Sequence, residues 1–208
     1  MSNAPALSLE EYRARFSRSP FLAMPIAGTI AWTAIGIAGL LLPTNLAAWA
    51  LFIGTGMIFS IGLVVARFTG EDLLGKERPG NPFDKLFMRA VVMSWLVFAI
   101  AIPFFRLDPT SLPLTVGILA GLMWLPFGWI INHWVGTFHS VTRTILCLAA
   151  WYAFPDNRYV VIPFVIVSIY LITIAALMKR GIPDARFRMR STRIPESGIE
   201  NLESPFPG

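Results

Sequence analysis

Apolar residues in this chain come in long unbroken runs rather than at every second or every third position. Crossing the hydrocarbon core of a bilayer takes about 20 mostly apolar residues of helix. Six windows meet that need: Phe21–Leu42, Leu46–Ala66, Leu86–Phe105, Leu112–Ile131, Val135–Phe154 and Tyr159–Met178. The pattern predicts an all-α membrane protein, a six-transmembrane-helix bundle built as three helical hairpins. Residues 1–20 form a segment ahead of the bundle, 21–178 the transmembrane domain and 179–208 a tail. Each hairpin turn carries proline, which cannot continue a helix: Pro43-Thr44-Asn45, Arg106-Leu107-Asp108-Pro109 and Pro155-Asp156-Asn157-Arg158. The first run follows three arginines, as in a secretory signal. It is longer than the roughly 7–15 residues of a signal core and lacks a small-residue cleavage site, so it reads as a permanent helix.

Composition excludes the alternatives. Of 208 residues, 55% are hydrophobic and 14% charged, against about 25% charged in soluble domains. So few charges cannot clothe a soluble fold, and so much apolar surface is foreign to a disordered chain. The charges also orient the bundle. With the N-terminus in the cytoplasm, every Lys and Arg except Arg106 and Arg158 falls on the cytoplasmic side, Arg143 included. The excess of Lys and Arg in cytoplasmic loops therefore places both termini inside. The basic balance reflects this topology rather than nucleic-acid binding. Trp129 and Trp134 are expected at the inner interface, and Trp49 and Trp151 at the outer one.

Local signals complete the outline. Ser8 and Glu11 fit a capping box ahead of a short interfacial helix bearing Leu9, Tyr12 and Phe16. Asn81-Pro82-Phe83-Asp84 reads as a helix start. Gly70-Glu71-Asp72-Leu73-Leu74-Gly75-Lys76 imitates a phosphate-binding loop, but Glu77 stands where Ser or Thr would bind magnesium and Pro79 blocks the following helix. The tail is basic over Lys179–Arg193, a stretch suited to anionic lipid. It is acidic and proline-rich over Glu196–Gly208 and is expected to be disordered.

Chemistry is scarce. All Asp and Glu lie outside the centres of the six windows, which argues against an embedded carboxylate relay. His133 and His139 are six residues apart with no Cys or carboxylate to complete a metal site. Both lie in one segment, so they cannot clasp a haem from facing helices. No cofactor is expected. Cys147, the single cysteine, reads as apolar packing.

The polar run Asn132–Thr144 is the exception. On a helix, Asn132, Gly136, His139 and Arg143 form one stripe, and His133, Thr137, Ser140 and Thr144 a second beside it. Only Ile145–Phe154 remains beyond Thr144, too short to span, so the fifth helix must carry Arg143 into the membrane. An arginine near the bilayer centre costs at least about 2.5–3.5 kcal/mol unless satisfied. It either snorkels to the surface, or faces the bundle interior, where it pairs structurally with carbonyls or serves as an anion or lipid site. Arg143, His139, Asn132, His133, Thr137 and Ser140 are therefore the candidate ligand-binding residues. Leu125-Pro126-Phe127-Gly128 is expected to break the fourth helix nearby.

At Leu125-Pro126-Phe127 and the polar run after it, the chain resembles uncharacterised six-helix integral membrane proteins of bacteria, a family of unknown function. That resemblance implies a multi-pass protein of the bacterial inner membrane and supplies no activity. The glycine-rich first hairpin ending at Pro43 is also similar to acid-resistance membrane proteins, but the later hairpins depart from that pattern and no role transfers. The leading function is a small-solute or anion permease with helix five lining the path. A structural or lipid-interacting protein and an intramembrane enzyme on a lipid phosphate are the alternatives.

Overall fold

A computed structural model describes residues 7–180 of the chain. Ten α-helices follow one another: α1 Leu9–Phe16, α2 Ala23–Leu41, α3 Thr44–Gly56, α4 Ile58–Thr69, α5 Pro82–Leu96, α6 Phe98–Leu107, α7 Leu112–Gly121, α8 Trp124–Ile130, α9 Val135–Ala153 and α10 Arg158–Lys179. Single 3₁₀ turns, Pro109–Ser111 and Pro155–Asn157, precede α7 and α10. No strand occurs among the described residues. Beyond Arg180, the basic and acidic halves of the tail lie outside the described residues.

The six windows reappear as helix, three of them interrupted. Four stretches are long and apolar enough to cross a membrane: Ala23–Leu41, Pro82–Leu107, Pro109–Ile130 and Pro155–Lys179. The α3–α4 pair, bent by 49° at Met57, is long and apolar enough to be a fifth when taken as one span. Glycines 54 and 56 sit at that bend, where the helix resists bending least. The protein is a multi-pass membrane protein. The Val135–Ala153 helix is not among the five, because His139, Ser140 and Arg143 lower its apolar character.

Proline explains the break in the fourth window. Pro126 lacks an N–H and its ring clashes with the carbonyl four residues earlier, that of Leu122. The helix duly parts at Leu122 and Met123, and the Leu122 carbonyl accepts instead from Leu125 N–H at 3.1 Å. Pro163 lies inside α10 as well, yet that helix runs through it unbroken.

Small residues set the closest interface. Gly28, Gly36 and Gly39 on α2 face Tyr170, Phe164 and Tyr159 on α10 in reverse order, so the two helices run antiparallel. A Cβ on Gly28 would stand 2.5 Å from the Tyr170 ring, and one on Gly39 would strike the Tyr159 carbonyl oxygen. Without interior water to squeeze out, membrane helices associate by such close packing. The start of α2 and the end of α10 thus lie at one end of the bundle. There the Arg180 guanidinium donates to the carbonyls of Ser17 (2.6 Å) and Ser19 (3.0 Å) and lies over the Phe21 ring.

The capping box at Ser8 and Glu11 forms in both halves, and Asn81 caps α5 as expected. Phe16 is buried against Phe21, Phe83 and Phe87, Tyr12 packs on the same core and accepts from Asn81 at its carbonyl (3.0 Å), and Leu9 stays exposed, so α1 docks from Tyr12 onward. The loop that imitated a phosphate-binding motif has a structural task instead. Arg78 grips Asp84 with two hydrogen bonds of 2.9 and 3.2 Å and donates to the Asp72 carbonyl. Glu71 Oε1 accepts from the N–H groups of both Leu22 and Ala23 at 2.8 Å. That carboxylate satisfies two orphan donors at the positive end of α2. It also holds Phe21 in the left-handed region, φ 57°, which a bulky residue seldom adopts.

Glu71 is 8% exposed and its second oxygen, Oε2, makes no hydrogen bond. Burial pushes its pKa above the ordinary 4.5, and the Ala23 N–H offsets this only in part. A carboxyl whose folded pKa is raised favours folding while protonated. Its contribution is complete below the unfolded value and is lost as pH rises through the folded one. Glu71→Gln keeps an acceptor at Oε1 and carries no charge. Thermal unfolding in nanodiscs should show the wild type losing stability above pH 4.5 and the variant lacking that loss; a variant that is less stable at pH 8 than at pH 5 would contradict the assignment.

Candidate functional site

The fifth window turns its polar residues inward. Gly136, His139, Ser140, Arg143, Cys147 and Ala150 form a buried seam on α9, while Val141, Ile145 and Leu148 face out. Arg143 lies at the middle of this seam, 1% exposed, among α7, α10 and α2. It does not snorkel. Its Nε donates to the Gly117 carbonyl at 2.6 Å, and Nη1 approaches the Tyr170 hydroxyl at 3.3 Å and His139 Nε2 at 3.4 Å. The guanidinium carbon stands 5.3 Å from the Trp32 ring centroid and 5.6 Å from that of Tyr170, within cation–π range. No carboxylate of the described residues pairs with it.

Hydrogen-bond direction is set from the far end of the network. Thr173 donates its hydroxyl proton to the Ile169 carbonyl at 2.8 Å. Its oxygen is left as the acceptor at 2.9 Å from His139 Nδ1, so His139 carries a proton there. Nε2 then presents a lone pair to Arg143, which a neutral imidazole alone can do. The His139 ring is stacked on Trp124 at 4.4 Å. Ser140 donates to the Gly121 carbonyl at 3.0 Å, one of the orphan acceptors at the end of α7. Every ring nitrogen and hydroxyl of His139, Ser140 and Thr173 is thus committed, and none is free as a nucleophile.

Glycine makes room for the arginine. A Cβ on Gly121 would stand 2.7 Å from Arg143 Cδ and 3.0 Å from Nε. Gly136 on α9 and Gly128 on α8 bring their backbones into contact, which pulls the polar seam against the broken fourth window.

The guanidinium borders a cavity of about 50 Å³ whose lining includes Tyr170, Trp32, Trp124, Thr55 and Ser94. Trp32 is fully buried and its indole N–H meets no acceptor. The hydroxyls of Thr55 and Ser94 donate to the carbonyls of Leu51 and Val91.

Of the six candidate residues, the structure gathers Arg143, His139 and Ser140. Thr137 is exposed on the other side of α9. Asn132 is exposed at a left-handed turn, φ 50°, ahead of Val135, which itself lies about 12 Å along α9 from Arg143. His133 is half-buried in that turn, where its Nδ1 accepts from Val135 N–H at 3.2 Å. Burial and then the nearby Arg180 charge lower its pKa. The helical spacing that joined these residues to the stripe begins only at Val135, so Asn132 and His133 are outside it.

Sequence reasoning missed Trp32, Trp124, Tyr170 and Thr173. One signal was present: Trp32 sits mid-window, away from the headgroup level where tryptophan normally concentrates.

A family profile described as a family of unknown function, DUF7010, matches residues 9–180. The chain belongs to that family. Its match spans the bundle from α1 to Arg180, so the Arg143 seam lies wholly within DUF7010. Neither the curated proteins nor the solved structures gave a match.

Gly121→Ala should destabilise this DUF7010 protein by about 1–3 kcal/mol, the usual range for overpacking. Gly56→Ala, with nothing within 4 Å, should stay within about 1 kcal/mol of wild type. Unfolding in nanodiscs measures both; equal effects at the two sites would refute the packing described around Arg143.

Proposed function

We propose that this protein crosses the bacterial inner membrane six times, keeps both termini in the cytoplasm, and passes a small anion through the Arg143 cavity. The observation that carries the reading is a fully buried arginine held by neutral groups alone. A charge-assisted hydrogen bond contributes about 1.5–3 kcal/mol, so these ligands offset the cost of placing the cation in the bundle. They leave its charge uncancelled, and an anion would cancel it. Arginines lining membrane pores select anions in this way.

Parity favours six crossings. Arg180 at the end of α10 bonds to Ser17 and Ser19 ahead of α2, so the two ends share a side. Five spans would separate them, and α9, at 19 residues, supplies the sixth. At the far end, Arg158 donates to Thr110 (2.6 Å) and Tyr159 to the Pro109 carbonyl (2.6 Å), joining two of the proline turns. The near end carries α1 and the 70–81 loop with most of the basic residues, which supports its cytoplasmic placement. Exposed Arg15 and Arg18 there, with Lys179 and the basic tail, suit anionic lipid headgroups. The enzyme alternative draws no support from a cluster without a free nucleophile.

Two measurements test the reading. Reporter fusions after Gly70 should report cytoplasm and after Asn157 the outside; a periplasmic signal at Gly70 would overturn the topology. Liposomes holding the full chain, with valinomycin to carry potassium, should swell in potassium nitrate faster than empty liposomes, and Arg143→Gln should return the rate to background. Equal rates for wild type and Arg143→Gln would sink the permeation path.

A further inference from the structure

The cavity beside Arg143 holds a second unexplained donor. Trp32 is 0% exposed, and its indole N–H has no acceptor although almost every buried polar group in a protein finds one. Trp32 and Arg143 line the same space, and the guanidinium carbon is 5.3 Å from the indole ring. Tyr170 adds a third donor. Its oxygen accepts from Arg143 Nη1, which leaves the phenolic proton unspent beside the cavity. Three donor-bearing residues on three helices, α2, α9 and α10, therefore line one small volume beside a positive charge.

Resting on the permeation reading above, we infer that the ligand is a single monovalent inorganic anion of one to four heavy atoms, bound by Arg143 together with the Trp32 indole N–H and the Tyr170 hydroxyl. Size sets the upper limit. The cavity is about 50 Å³, room for about four waters at the roughly 10–15 Å³ each needs on that measure. Charge sets the valence. One guanidinium neutralises one negative charge, and a divalent ion would leave an unpaired charge among Met24, Phe59, Val91, Phe98 and Val116. The oxygens of Thr55 and Ser94 bring no further positive charge, since both protons go to backbone carbonyls. Chloride and nitrate fit these limits; sulfate and phosphate do not. Trp32 is then a specificity-determining ligand rather than a filler of the first span.

The test is binding by the full-length protein in nanodiscs made of uncharged lipid, exchanged into sodium gluconate. Sodium nitrate and sodium chloride should raise the thermal midpoint of the wild type in a saturable way, and sodium sulfate at equal ionic strength should not. Trp32→Phe keeps an aromatic ring without the N–H and should need roughly tenfold more nitrate for half the effect, the loss expected for one hydrogen bond to an ion. Should Trp32→Phe fail to fold, the wild type labelled with 5-fluorotryptophan gives the same answer. One water-shielded resonance should shift with nitrate and stay still with sulfate. Equal responses to nitrate and sulfate, or an unchanged midpoint dose in Trp32→Phe, would overturn the assignment of ligand class and donors. A wild type that responds to no anion would overturn the permeation reading itself.

Discussion

A guanidinium cannot shed its charge, so a bundle that buries one must be built around its needs. Arg143 requires acceptors that a transmembrane helix does not ordinarily offer, because helical carbonyls are spent within the helix. The bundle meets the demand with Gly117, whose carbonyl receives Nε at 2.6 Å, and with Tyr170 and His139. Each of these choices constrains something else. Approach to Gly117 requires that Gly121 carry no side chain, and the Tyr170 ring reaches its place only because Gly28 leaves it room on α2. His139 is fixed in turn by Thr173 and by stacking on Trp124. The helix break enforced by Pro126 lies one turn from this cluster, and Ser140 satisfies a carbonyl of the helix end that the break creates.

The rest of the architecture holds that cluster in register. The antiparallel α2–α10 pair carries Trp32, Tyr170 and Thr173 past α9. At one end it is locked by Glu71 on the N-terminus of α2 and by Arg180 on the Ser17–Ser19 backbone. At the other it is locked by Arg158, whose guanidinium lies 3.4 Å from the Trp151 ring centroid and bonds Thr110. Polar clamps at the two ends and close glycine contacts between them replace the hydrophobic drive that water gives a soluble core.

Much of this was legible in the chain. Apolar run length located each helical window, proline located the turns and the fourth-window break, and the Ser8–Glu11 and Asn81 caps formed where their side chains implied. The depth of Arg143 marked it as the residue to explain. Its direction was not legible, since one helix gives a stripe but no partner. Inward orientation depends on a carbonyl of α7 and rings from α2 and α10, distant in sequence from α9. Spacing also overextended the polar stripe to Asn132, which belongs to a turn, and to Thr137, which lies on the outer face. Glu71 was hidden for the same reason: a loop carboxylate nearly fifty residues from the helix it caps leaves no local pattern.

The whole arrangement turns on Arg143 being charged, buried and bonded to the Gly117 carbonyl inside the bundle. Proton-exchange NMR on the full chain in nanodiscs with ¹⁵N-labelled arginine observes that bond directly. One guanidinium Nε–H should exchange with water far more slowly than those of exposed Arg15 and Arg18, and should vanish from the spectrum of Arg143→Lys. Rapid exchange at every arginine, or a protected signal that survives in Arg143→Lys, would contradict it.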